Sequence, residues 1–540
     1  MSYKNEKIKM IELHENGLDI QFRIRENGVV ELADFSSQEV KKAVMEPKED
    51  ICYPAVEIHR SGTGSLNMHA YKNNINQSSV DFVYENHELK AQAGGKELEI
   101  VMISPEKLKA VYHMRLFDGV PAVQTWTEII NEGSEDQGLT YVSSFMYQGI
   151  SRGGEKPYYK KTDIYVPFNS WCCEAQWQKY DAETLNLNGM VVDGFNHQGY
   201  GLNRYCYSGK GTWSTCEYLP MGIAEDRETG ETYIFQIESS GQWLAEYGSA
   251  QGGNLYLALS GATEQEHGWY KNLKPGESFT TVPAGAAVVK GGLNPAAAAL
   301  TRYRRKVRRP NTDDEKLNVV FNDYMNCLMG DPTTERELSI IDKAAELGCE
   351  YYCLDAGWYD DGFWWDRVGE WKEASGRFPN GLKEVCDHAH SKGLKMGLWL
   401  EIEVMGVACE LANKLPDDWF VCRHGKRHID NKRYMLDFRN PEVRKYCRDV
   451  VDRLINDYGV EYYNVTMGYG SDLNSDSCAD AIREHYECLH QWYEEIFRDH
   501  PELVVENCGS GGQRMDYGML KILSLQSTSD QTDYLYNANI

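Results

Sequence analysis

Lys395-Met-Gly-Leu-Trp-Leu-Glu401-Ile-Glu403 is a short apolar run that closes on acids. Its length and composition predict a buried strand, and Trp399, Glu401 and Glu403, spaced by two, are expected on one face of it. The pattern recurs on either side. Asn318-Val-Val-Phe-Asn322, Tyr351-Tyr-Cys-Leu-Asp355, Val460-Glu-Tyr-Tyr-Asn-Val465, Leu503-Val-Val-Glu506 and Ile522-Leu-Ser-Leu-Gln526 also read as strands. Helical periodicity covers Glu335 to Leu347, Gly381 to Ser391, Pro441 to Tyr458 and Cys478 to Arg498, with a short helix from Met515 to Leu520. Apolar strands separated by helices predict a parallel sheet covered on both faces. Polar residues stand where strands end: Asp355, Glu401, Glu506 and Asp530. A (β/α)8 barrel places its active site on those loops. Six strands of this kind precede Ile540, so residues 313–540 are expected to be a (β/α)8-barrel catalytic domain, incomplete at its C-terminus and cut two strands short.

Residues 1–294 have a different texture. Gly17 to Ile24, Glu97 to Ile103, Glu231 to Ile237 and Asn254 to Leu259 are alternating or aromatic runs, separated by Gly-rich turn signals such as Glu26-Asn-Gly28 and Lys274-Pro-Gly276. Short strands at this spacing predict a large antiparallel β-sandwich, here of supersandwich size. Residues 295–312 are expected to be a linker helix, ended by Pro310. The fold class is therefore multidomain, α and β: an antiparallel β-sandwich followed by an incomplete TIM barrel.

The 540 residues carry a net charge of -26, which disfavours nucleic acid and anionic membrane surfaces as partners. The basic run Arg302-Tyr-Arg-Arg-Lys-Val-Arg-Arg309 reads as a solvated helix face. No apolar run reaches ~18 residues, so no membrane span is expected. The N-terminus shows no secretory signal, and 15 scattered cysteines, with one adjacent pair at Cys172-Cys173, fit reduced thiols in a cytoplasm. No Cys/His spacing suits a metal, and no cofactor is expected. His424 and His428 lie in a loop that is expected to reach the cleft. Acids and tryptophans at a barrel mouth suit sugars: indoles stack on pyranose faces, and paired carboxyls cleave glycosidic bonds.

From about Asn318 to Asp533 the chain resembles glycoside hydrolase family 36, the clan D bacterial α-galactosidases. The matching segments are Leu354-Asp-Ala-Gly-Trp358, Val368-Gly-Glu-Trp371, Arg377-Phe-Pro-Asn-Gly381, Gly397-Leu-Trp-Leu-Glu-Ile-Glu403, Leu436-Asp-Phe-Arg-Asn-Pro441, Glu506-Asn-Cys-Gly-Ser-Gly-Gly512 and Thr528-Ser-Asp-Gln-Thr-Asp533. Asn169-Ser-Trp-Cys172 and Trp213-Ser-Thr-Cys-Glu-Tyr-Leu-Pro220 resemble the family's β-sandwich.

The resemblance implies a retaining hydrolase that removes terminal α-linked galactose, or a related sugar, from an oligosaccharide or glycoside. It places carbohydrate metabolism in the cytoplasm, and it implies a homo-oligomer assembled through β domains. Asp530 maps to the acid/base. Asp355 maps to the group holding the 4- and 6-hydroxyls. Trp399 maps to a sugar-contacting wall, Arg433 to a residue that reaches the site, and Cys508 and Gly511 to the loop around the 2-position. Trp358, Glu401, Asn464, Arg514 and Asp533 complete the implied substrate-binding set.

The sequence departs from the family at three points, one of them Asn464, which stands where the family has a sugar-binding lysine. Ala356 stands where many members have a second Asp, and Thr466 stands at the nucleophile position, in place of Asp. A register shifted by two puts Gly468 there instead, and Asp472 is the nearest acid downstream. The alternative implied by this departure is an impaired homologue that binds carbohydrate without turnover.

Overall fold

The computed structural model describes residues 9–46, 52–64, 71–74, 76–188, 203–250, 253–311, 313–465 and 476–540, with 464 and 465 described as backbone alone. The nucleophile position Thr466, its alternative Gly468 and the downstream acid Asp472 lie outside the described residues. The chain forms two compact units. The first comprises Met1–Phe168, Gln176–Gly209 and Glu217–Val307; the second comprises Asn169–Ala175, Lys210–Cys216 and Arg308–Ile540.

The first unit is built from antiparallel sheets. A ten-stranded sheet contains the consecutive strands Val83–Gln92, Gly95–Ile103, Leu108–Phe117 and Val120–Asn131, and a six-stranded sheet contains Gln137–Ile150, Trp243–Ala250 and Asn254–Ser260. Period-two burial drives them: in Gly95–Ile103 the buried side chains include Leu98, Ile100 and Met102. The helix Leu293–Val307 buries Ala296, Ala299, Leu300 and Tyr303, at helical spacing, against Phe117, Ala122 and Ile223. Arg302, Arg305 and Lys306 stay exposed, but Arg304 donates to Gln236 Oε1 at 2.6 Å and Arg309 to the Ile522 carbonyl at 2.8 Å, so only part of the basic run is a solvated face.

The second unit carries a six-stranded sheet: β1 (Val320–Asn322), β2 (Tyr351–Leu354), β3 (Lys395–Trp399), β4 (Val460–Val465), β5 (Val504–Asn507) and β6 (Leu525–Gln526). They lie side by side in sequence order, and each neighbouring pair is parallel. Helices α1 (Thr334–Glu346), α2 (Lys383–Ser391), α3 (Pro441–Tyr458) and α4 (Cys478–Asp499) alternate with them.

The sequence explains the ends of α3. Asn440 caps it by accepting from the Glu442 N–H, Pro441 occupies its first turn, and Gly459 closes it at φ 69°. Its buried stripe is Val443, Cys447, Val450, Val451 and Leu454. Gly397 in β3 has no alternative, because a Cβ there would stand 2.5 Å from Tyr462 Cδ1 of β4.

One local expectation fails. Trp399, Glu401 and Glu403 do not share one face. β3 ends at Trp399, and a turn closed by the Val404 N–H on the Glu401 carbonyl, at 3.3 Å, interrupts the alternation before Val404–Gly406 resumes as a strand. Glu401 therefore faces a cavity, whereas Glu403 is fully buried on Arg514.

Candidate active site

The C-terminal ends of the strands surround a cavity of about 1230 Å³ within the second unit. Of the residues singled out from sequence, Asp355, Trp399, Glu401, Arg433, Cys508 and Asp530 line it, and so does Glu506.

Asp355 follows the last residue of β2 and is held on three sides. Its Oδ2 accepts from Asn322 Nδ2 at 2.7 Å, its Oδ1 accepts from the Ala356 N–H at 2.7 Å, and its own N–H donates to Asp323 Oδ1 at 2.7 Å. Burial pushes its pKa up to about 6, against the pull of the two donors on its carboxylate. It is mainly ionised at neutral pH.

Glu506 in β5 is register-paired with Asn464 of β4. Burial, and then the charge of Asp355, push it up to about 8, so it is mainly protonated at neutral pH. Asp530 is also raised by burial, while an indole N–H holds the shift back: Trp171 Nε1 donates to Asp530 Oδ2 at 3.0 Å. The cavity thus places an ionised carboxylate and a protonated acid on one wall set, with a third carboxyl at Asp530.

Much of the remaining lining is aromatic: Phe363, Trp364, Trp365 and Trp399. Trp399 packs edge-on to Trp364 at 5.4 Å and nearly parallel to Tyr359 at 6.0 Å. Trp358 does not reach the cavity. It is fully buried, and its Nε1 donates to the Trp399 carbonyl at 2.9 Å, bracing the wall from behind. Arg433 lines the cavity by pairing with Glu401, donating from Nε to the Trp365 carbonyl at 3.0 Å, and stacking 3.4 Å from the Trp365 ring centre.

Gly511 acts by having no side chain. Its φ is 72°, and a Cβ would stand 2.6 Å from Ser529 Cα, so the loop after β5 can lie directly against the backbone that carries Asp530. Two expected substrate contacts are elsewhere. Arg514 is fully buried, with Nη1 3.1 and 3.3 Å from the Glu403 oxygens. Asp533 caps the terminal helix Tyr534–Asn537 by accepting from the Leu535 N–H at 2.8 Å. The side chain of Asn464 lies outside the described residues. His424 and His428 are not among the residues that line the cavity.

Sequence reasoning missed Trp171. Its segment, Asn169–Ala175, comes from the N-terminal half yet belongs to the second unit. Asn169 Nδ2 donates to the Gly512 carbonyl at 3.0 Å, and Thr215 Oγ1 donates to the same oxygen at 2.6 Å. Nothing in the local pattern of Asn169-Ser-Trp-Cys172 signals this. Asn322 was also missed, although a polar residue ending a predicted barrel strand was a usable signal.

Among the described residues, one group has metal-ligand character, Glu97, Glu99 and His113 in the first unit. The Lys90 ammonium already neutralises Glu99 there, and His113 Nδ1 is bonded to Glu97 at 2.9 Å. No helix among the described residues is long and apolar enough to cross a membrane.

A model of the melibiase family matches residues 278–540. This segment belongs to the melibiase family. α-Galactosidase Mel36A of Lactobacillus acidophilus is 27% identical over 379 residues, covering 67% of this chain and 50% of its own. α-Galactosidase AgaA of Geobacillus stearothermophilus is 28% identical over 320 residues, covering 57% and 43%. The chain thus spans about half the length of the curated relatives it matches. The crystal structure of GH36 α-galactosidase AgaA shares its fold, with TM-score 0.81 at 19% identity over 98% of this chain and 76% of that one. The melibiase-family segment contains every cavity residue except those contributed by 169–175 and 210–216.

Proposed function

We propose that the chain is an α-galactosidase-type glycoside hydrolase acting on terminal α-linked galactose or a closely related sugar. The observation that carries this is the cavity itself: Asp355, Glu506 and Asp530 converge on an aromatic wall inside a melibiase-family segment. Relatives support the substrate class. Variants of AgaA have been solved with raffinose and with stachyose. In this reading Asp530 gives its proton to the glycosidic oxygen as the bond from C1 breaks, and later takes one from water. Asp355, held ionised and oriented, accepts from sugar hydroxyls, and Trp399 covers an apolar sugar face. Retention also requires a nucleophile on C1; the family's position for it is Thr466 in this sequence, which supplies no carboxylate, and Asp472 is the nearest acid downstream. Residues 313–540 would then be the catalytic domain, with 1–294 and 295–312 as β domain and linker. A cytoplasmic location and assembly as a homo-oligomer belong to the same proposal.

A second reading is sugar binding without turnover, favoured by the absence of a carboxylate from Asn464 to Gly468. Hydrolysis of an aryl α-galactoside that Asp530→Asn abolishes supports the enzyme and excludes the binder. Galactose binding by calorimetry with no turnover does the reverse. Absence of both overturns the sugar assignment. Thr466→Asp is expected to raise turnover if the nucleophile alone is lacking.

A further inference from the structure

Behind Asp355 the structure buries two more acids that the proposed chemistry does not use. Asp323 directly follows β1, and Glu337 stands in the first turn of α1. Their exposures are 3% and 0%. Acids this deep need a reason.

Capping does not supply it. Asp323 precedes the helical turn Tyr324–Leu328 but makes no side-chain cap bond to it. The cap of α1 is Thr333, which accepts from the Arg336 N–H. Instead, Asp323 Oδ1 accepts the backbone N–H of Asp355 at 2.7 Å, and Glu337 Oε2 accepts the Tyr352 hydroxyl at 2.6 Å. The two buried carboxyls are also near neighbours, each acting on the titration of the other.

That proximity is informative. Ionised carboxylates only accept, so a bond between two of them requires a proton on one. Glu337 Oε1 finds no donor from any ordinary donor group. The surroundings favour keeping the proton. Burial raises both acids, and for Asp323 the charges of Glu337 and Asp355 add to it. The facing groups are Tyr352, Cys327, Asp355 and Arg336. Arg336, the one cation among them, is half exposed and paired with Asp331 at the surface.

We propose that Asp323 and Glu337 are positioning residues that share one proton and hold Asp355 by its main chain. Asn322 and Asp323 then act as adjacent jaws from the end of β1. Asn322 grips the Asp355 carboxylate, and Asp323 grips its N–H. Glu337 fixes the Asp323 carboxyl from behind, with Tyr352 fixing Glu337 in turn. The shared proton keeps the pair to a single negative charge beside a carboxylate that must itself stay ionised.

The inference rests on the sugar-binding reading of Asp355, and three measurements separate the two. Asp323→Ala removes the acceptor for the Asp355 N–H. It is expected to weaken galactose binding, measured by calorimetry, about tenfold or more. Asp323→Asn keeps an acceptor oxygen and a donor toward Glu337, so its affinity is expected within about threefold of the parent. Hydrogen exchange read by mass spectrometry is expected to show faster exchange of the Asp355 amide in Asp323→Ala and parental protection in Asp323→Asn. Infrared spectroscopy of the parent is expected to show a protonated carboxylic acid that Glu337→Gln and Asp323→Asn each remove. If the parent binds no galactose, the proposed function fails, while exchange and infrared still decide the pair. A folded Asp323→Ala with parental exchange at residue 355, or an acid band untouched by both Asp323→Asn and Glu337→Gln, overturns the inference.

Discussion

Arg514→Met tests whether Arg514 holds the fold or the sugar. The guanidinium is fully buried and lies 3.1 and 3.3 Å from the two oxygens of a fully buried Glu403. Burial pushes Glu403 up to about 7 even though Arg514 pulls the other way. Relative to the ordinary value of 4.5, that rise means the ionised form carries a penalty of about 3 kcal/mol with its partner present. Removing the partner leaves the charge unpaired, and breaking a buried pair from one side costs about 3–5 kcal/mol.

The pH dependence has a definite sign. The native state keeps a proton on Glu403 that the unfolded chain releases near 4.5, so stability falls as pH rises from there through about 7. In Arg514→Met the native pKa climbs further and the window extends upward. The deficit against the parent is therefore expected to be small at pH 5 and full at pH 8. Urea unfolding followed by tryptophan fluorescence at both pH values reads it directly. A deficit under about 1 kcal/mol at pH 8, or an equal deficit at both pH values, refutes the reasoning. Replacing both residues, as Arg514→Met with Glu403→Leu, is expected to recover most of the loss.

Three further outcomes follow, two from the site and one from the sheet that carries it. Trp171→Phe removes the N–H that favours the Asp530 carboxylate, so the Asp530 pKa rises; the alkaline limb of kcat/KM is expected to move up, and a downward move contradicts the assigned acid. Gly511→Ala must push the Asp530 backbone away and strain a residue at φ 72°, so galactose affinity is expected to fall about tenfold or more, whereas Gly425→Ala, at φ 71° with open space around it, loses about 1 kcal/mol of stability and no affinity. Gly397→Ala drives a methyl into Tyr462 between β3 and β4, and thermal melting is expected to show a loss of about 1–3 kcal/mol, with parental stability overturning the close-packing argument.

The parallel half was legible because each strand is a short apolar run and each helix has its own end signals. Pro441 to Tyr458 and Val460 to Val465 were read to the residue. The antiparallel half was legible as a class from its alternation, while pairings such as Asn254–Ser260 with Gln137–Ile150 depend on long-range registers that local patterns do not encode. At the site, residues at strand ends were found because barrel geometry fixes where strand ends point. Asp533 lies in a segment that resembles the family's and Arg514 lies two residues past another, and such a resemblance does not separate a contact to ligand from an ion pair or a cap. Trp358 is similar: its indole backs the wall that Trp399 presents. The alternation argument overreached at Glu403, since a turn two residues past a strand end resets the faces.

The tie between Asn169 and Gly512 spans 343 positions of chain. Contacts that distant form late in folding, because the entropy of closing the intervening loop must be met before they reward it. The indole that tunes Asp530 rides on that tie. During synthesis Trp171 is made hundreds of residues before its carboxyl partner exists. A chain halted before residue 530 can form strands and helices without yet holding the acid or its regulator. The hydrogen bond between Trp171 and Asp530 is accordingly a late event of folding, since it joins residues 359 positions apart.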